Sequence, residues 1–145
     1  MKISTKGEYG LMALIDLTLH QNQRPVQIFQ ISERQGIPKQ YLDQLMLNLK
    51  RSGIVASSRG RQGGYFLARP AKEVTLLDII TALEGPVENR NFTGRSLRSN
   101  LAARQVLKTL WDEIYSNTIQ ILGNKSLDEI CELQKKSEEH LMYHI

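Results

Sequence analysis

Two short amphipathic stretches, residues 27–35 and 39–52, are separated by only Gly36, Ile37 and Pro38, and a basic glycine-rich segment follows at once. Three turn residues ending in proline permit an angled helix pair and little else. Residues 54–57 and 65–68 are apolar, β-branched or aromatic runs flanking Arg59, Gly60, Arg61, Gln62, Gly63 and Gly64, which predicts a β-hairpin. The tip holds two arginines and no acidic residue. Such a tip repels itself unless it meets something anionic, and its glycines, Gly60 among them, let the backbone approach a surface closely. The joint pattern is helix-turn-helix followed by a wing, and its natural partner is double-stranded DNA.

The second helix of the pair has two faces. Tyr41, Leu42, Leu45, Met46 and Leu49 form the expected inward side, while Gln40, Asp43, Gln44, Leu47 and Arg51 fall together on the other at 100° per residue. Glutamine pairs bidentately with adenine, arginine or lysine with guanine, and aspartate accepts from cytosine, so this face has the chemistry to read bases in a major groove. Arg61 and Lys6 are expected to hold phosphates, which set register without reading sequence.

Charge supports this placement. The chain of 145 residues carries a formal +4, yet ten Lys and Arg stand against four Asp and Glu in residues 1–70, whereas residues 71–145 are slightly acidic. A charge set serving solubility alone has no reason to segregate with the helix-turn-helix. No run of about 18 apolar residues exists to cross a membrane and the first residues lack the apolar centre of a secretory signal, which predicts a cytoplasmic protein with no membrane partner. One cysteine, Cys131, excludes an intrachain disulfide and a metal site built from several thiolates of one chain. His140 and His144 have helical spacing but read as solvated, and Cys131 as a small buried hydrophobe.

The remaining segments predict helices. Thr5 and Glu8 have capping-box spacing before an apolar stretch, Leu11, Met12, Ala13, Leu14, Ile15 and Leu17, whose full circumference suggests burial by its own domain and by a second chain. Thr75 caps a short helix over 76–84, residues 87–96 form a loop, and Ser126 with Glu129 caps a last helix led by Leu127, Ile130 and Leu133. Between them, residues 99–122 carry Ala103, Leu107, Leu110, Ile114 and Ile121 at four-three spacing beside a second stripe, Trp111, Tyr115, Thr118 and Leu122. That surface is too wide for one small domain to cover, and a homodimer follows as the expectation.

These residues resemble the winged-helix bacterial regulators typified by the iron–sulfur cluster regulator, the IscR-like family. STKGEYGLMAL at the start, ISERQGIPKQYLDQL through the helix pair and GIVASSRGRQGGYFLA in the wing carry the resemblance. It implies a homodimer whose long C-terminal helices cross between subunits, with Lys39, Gln40, Asp43 and Gln44 facing bases and Arg59 in the minor groove. It breaks downstream, where Gln105 and Lys108 stand in place of an expected cysteine and histidine. The chain therefore resembles the clusterless branch, close to the cysteine-metabolism repressor, with no cofactor and with sensing through a partner protein or a small-molecule effector.

The sequence thus predicts a mainly α protein: a winged helix-turn-helix domain over 1–85, a loop over 86–98 and a helical dimerisation region over 99–145. The expected function is sequence-specific transcription regulation, as a repressor. A winged-helix adaptor without DNA affinity and an atypical iron–sulfur redox sensor are the alternatives. An enzyme is not expected, since no nucleophile–base pair or carboxylate dyad is evident and RGRQGG lacks the lysine and hydroxyl of a phosphate loop.

Overall fold

Apolar residues on nearly every side of the first helix make it the element around which the others assemble. The computed structural model describes residues 2–22, 24–88 and 100–144. Helix α1 (Thr5–His20) packs against α2 (Ile28–Gln35), α3 (Lys39–Arg51), α4 (Leu76–Glu84), α6 (Leu127–Tyr143) and strand β2 (Gly64–Leu67), and buries Ala13, Leu14 and Leu17 completely. A second layer over α1 comes from this chain's own α6, through Leu127 and Cys131, while Met12 stays 37% exposed. Ser4 rather than Thr5 is the N-cap: its hydroxyl accepts from the Gly7 amide. Glu84 at the end of α4 in turn accepts from the Ser4 amide and hydroxyl. Gly7 and Gly10 lie flat against α4, where a methyl group on Gly7 would stand 2.6 Å from the Glu84 carboxylate and one on Gly10 would overlap the Leu83 side chain.

The helix pair forms as its turn residues dictate. Gly36 ends α2 in the left-handed region at φ 66°, Ile37 is buried, and Pro38 caps α3. The Ser32 hydroxyl donates to the Ile37 carbonyl at 2.6 Å, which fixes the turn. Leu42, Leu45, Met46 and Leu49 face the core as expected. Tyr41 does not: it stays 37% exposed and meets Tyr9 edge-on at 5.7 Å, because its position lies at the margin of the apolar arc.

Strand β1 (Val55–Ser58) pairs antiparallel with β2, Val55 opposite Leu67 and Ser58 opposite Gly64. The strands sit one residue further from α3 on the first side, and one residue closer to the turn on the second, than the composition suggests. Ile54 is spent on closing α3, its amide donating to the Leu49 carbonyl at 3.0 Å. Val26 adds one more rung, its N–H and C=O both bonded to Tyr65 at 2.8 Å, so the hairpin is stitched to the residues just before α2.

A polar cluster fastens α2 to α1. Asp16, 1% exposed, accepts from Arg34 Nε at 2.9 Å and from its terminal nitrogen at 2.7 Å, and from Gln35 Nε2 at 2.8 Å. The hydrogen bond with Asp16 holds the Arg34 guanidinium above its ordinary pKa. Neither residue stands out in the sequence.

Downstream, Thr75 and Asp78 cap α4 reciprocally, Asn100 caps α5 (Leu101–Gly123), and Ser126 caps α6. Leu127 N–H donates to the Val74 carbonyl at 2.7 Å and Leu76 N–H to the Lys125 carbonyl at 2.8 Å, which brings α6 back onto the winged half. Leu127 and Cys131 are buried, Cys131 as the small hydrophobe expected, and Leu133 is largely exposed. The loop expected over 87–96 lies, beyond residue 88, outside the described residues. Leu110, Trp111, Ile114 and Ile121 of α5 are 48, 45, 53 and 68% exposed, an apolar face left largely open among the described residues, while α4 packs elsewhere on the helix against the side that carries the buried Leu122.

Candidate nucleic-acid interface

Amphipathic spacing in α3 turns one side of the helix to the core and necessarily leaves the other outside. Lys39, Gln40, Gln44 and Arg51 are exposed, and Asp43 and Leu47 are half-buried at the edge of the same face. Lys39 Nζ lies 3.4 Å from Asp43 Oδ2, one helical turn away, so these two neutralise each other locally while the glutamines remain open.

The wing continues this surface. Arg59, Gly60 and Arg61 are all exposed at the hairpin tip, and among the described residues no carboxylate comes within ion-pair distance of Arg51, Arg59 or Arg61. Gly60 adopts φ 107°, a conformation that side chains disfavour, and Gly63 N–H closes the turn onto the Gly60 carbonyl at 3.0 Å. Gly64 lies against the Val26 carbonyl, where an added methyl would stand 2.5 Å away.

Several residues that hold this surface together carry no sequence signal of their own. Lys50 Nζ donates to Ser57 Oγ at 2.7 Å, tying the end of α3 to β1. Gln21 Oε1 accepts from the Leu67 amide at 2.9 Å, and Gln27 Nε2 donates to the Arg61 carbonyl at 3.2 Å. A glutamine in a polar loop or before a helix offers no clue to which backbone group it will meet. The Tyr65 phenol is pushed above its usual pKa by burial first and by the Asp43 carboxylate second.

Lys6 is exposed on a third element, α1. It occupies the first turn of α1 beside Glu84, whose carboxyl is held below its usual range mainly by the Ser4 hydroxyl, with Lys6 adding to the effect. His140 and His144 are exposed and stack edge-on at 4.4 Å near the end of α6.

A helix pair with an outward polar face, followed by a basic hairpin on the same surface, defines a winged-helix DNA-binding transcription regulator. The chain belongs to the Rrf2 family, described as iron-dependent transcriptional regulators, which it matches over residues 3–133. It is 37% identical over 130 residues to the HTH-type transcriptional regulator IscR of Pectobacterium atrosepticum, covering 90% of this chain and 79% of that one. Among solved structures it resembles T. potens IscR, with TM-score 0.75, 35% identity and coverage of 94% and 90%. It also resembles CymR (YrzC), the global cysteine regulator of B. subtilis, with TM-score 0.73, 30% identity and coverage of 92% and 98%.

An iron-dependent regulator needs residues that can hold iron. Iron–sulfur clusters are held chiefly by cysteine thiolates. This chain has one cysteine, buried in the core between α6 and α1, and its thiol is pushed up by that burial. Lys108, where the resemblance would have a histidine, is paired with Asp112 at 3.1 Å. Among the described residues no three His, Cys, Asp or Glu side chains group as metal ligands. The residues present do not fit a thiolate-held cluster.

Proposed function

We propose that the chain acts in the cytoplasm as a homodimeric repressor that places one α3 in each of two successive major-groove segments of a roughly palindromic site. The observation that carries this is the exposure of the α3 glutamines beside a wing, tied to α3 by Lys50, whose arginines have no carboxylate partner among the described residues. In this reading Lys39, Gln40, Asp43, Gln44 and Arg51 line the major groove, Arg59 enters the adjacent minor groove with Gly60 admitting close approach, and Arg61 and Lys6 hold phosphates. The uncovered apolar face of α5 supports the dimer, since soluble monomers rarely leave such a face to water. A dimer sitting on its site excludes other proteins from it, and a partner protein or small-molecule effector would release it.

The two wing arginines are expected to differ in kind. Arg59→Ala should lose affinity mainly for sites whose minor groove is narrow and A·T-rich at the wing, where the potential is most negative. Arg61→Ala should weaken binding to every sequence and make the salt slope shallower by about 0.9, the value for one phosphate. Titrations at several salt concentrations on A·T-rich and G·C-rich flanks check this, and identical behaviour of the two variants on both flanks would refute the division.

A further inference from the structure

We propose that Gln27 is a positioning residue for DNA recognition, acting through its bond to the Arg61 carbonyl to hold the wing tip at a fixed place relative to α3. This rests on the reading of the wing given above and extends it to a residue that acts through another. Three of the six residues from Arg59 to Gly64 are glycine, so the turn by itself has many accessible backbone conformations. Gly63 N–H to Gly60 carbonyl closes it internally but does not orient it against the rest of the domain. Orientation comes from outside. Val26 clasps Tyr65 through two backbone bonds, Gly64 lies against the Val26 carbonyl, and Gln27 Nε2 reaches the Arg61 carbonyl at 3.2 Å.

Only the last of these bonds lies on the turn itself, between the two arginines and the second strand. Gln27 is also the N-cap of α2, its own amide donating to Gln30 Oε1 at 3.0 Å, so the turn is referenced to the start of the helix pair. Lys50 to Ser57 ties the first strand to α3 but lies nearer the base of the hairpin. Without the Gln27 amide, the tip keeps its chemistry and loses its registration with the recognition face.

The test uses the full chain and a duplex carrying the sequence that the protein itself enriches from a random pool, made with either A·T-rich or G·C-rich flanks. Gln27→Met keeps length and leaves the bond from its backbone N–H to Gln30 in place but removes the side-chain amide, both the donor to Arg61 and the acceptor at the start of α2. The second loss acts on helix stability rather than on flank preference. It should lose about five- to tenfold in affinity on A·T-rich flanks, the scale of one hydrogen bond, and about twofold or less on G·C-rich flanks. In an Arg59→Ala background the same substitution should cost no more than about twofold, the share that passes through the Arg61 phosphate contact, because the part that acts through Arg59 is not additive with its loss. Thermal melting of each variant shows that it is folded. An equal loss on both flanks, or the full loss recurring in the Arg59→Ala background, overturns the inference. If instead Arg59→Ala leaves the flank preference intact, the reading of the wing fails, and the role of Gln27 fails with it.

Discussion

Arg34→Met is expected to cost about 2 kcal/mol of folding stability, less than removing one partner of a fully buried ion pair takes, because only Asp16 is buried, the guanidinium being partly exposed, and Gln35 still donates to Asp16. The methionine keeps most of the stem's apolar contact but supplies no donor, so the Asp16 carboxylate, on the inner side of α1, loses both bonds of its bidentate partner. Replacing both residues, Asp16→Leu with Arg34→Met, should be milder than the single change, since no buried charge is then left uncompensated. Urea unfolding at one fixed protein concentration reads both effects, with the concentration held constant because association shifts apparent stability. A single variant that loses less than about 1 kcal/mol, the worth of an ordinary exposed pair, would mean the cluster is not the clamp described. The functional consequence would be felt at the wing, because α2 carries Gln27 at its start and Arg34 near its end.

Ile114→Glu is expected to abolish dimer formation at micromolar concentration and to weaken binding to a full site more than 100-fold. Ile114 lies centrally on the exposed stripe of α5 with Leu110 and Ile121, and on the proposed interface a glutamate there would lose its water without gaining a partner. A cost of about 3 kcal/mol corresponds to more than a hundredfold in the association constant. DNA affinity falls with it, since one subunit engages one half-site and forfeits the advantage of linked binding. Gln120→Glu, an exposed position turned away from the stripe, adds the same charge and should change neither property. Sedimentation of the free proteins and titration on a full site make the comparison. Wild-type protein sedimenting as a monomer with and without DNA would contradict the proposal at its root.

How far the fold could be read from residues depended on whether the information was local. Gly36 and Pro38 fixed the helix-turn-helix within a residue at each end, because a left-handed C-cap and a proline at the next helix start are backbone constraints independent of the rest of the chain. The α3 faces followed from periodicity alone, with Tyr41 misjudged because an aromatic at the edge of an arc can pack sideways on Tyr9. Pairings between distant elements were not legible. Asp16 with Arg34, Glu84 with Ser4, and Gln27 with the Arg61 carbonyl each join residues separated by 18 to 80 positions through side-chain reach that spacing does not encode. The same holds for α6, whose return onto α1 through Leu127 and Cys131 gives part of that helix an intrachain cover that periodicity does not encode. At the candidate interface the exposed side chains were evident from sequence, whereas the groups that orient them, Gln21, Gln27 and Lys50, were not.

Selection of bound sequences from a random DNA pool, run in parallel with the wild-type chain and with Gln44→Ala, tests the central claim most directly. The wild-type protein should enrich a two-fold symmetric site whose half-sites are centred roughly 34 Å apart or a multiple of that, one turn of the duplex. Gln44→Ala should keep the symmetry and spacing but relax one base position in each half-site, at a cost of about 1 to 3 kcal/mol per position. Enriched sequences without two-fold symmetry, or a Gln44→Ala profile identical to wild type at every base, would contradict an account in which paired α3 helices read the major groove.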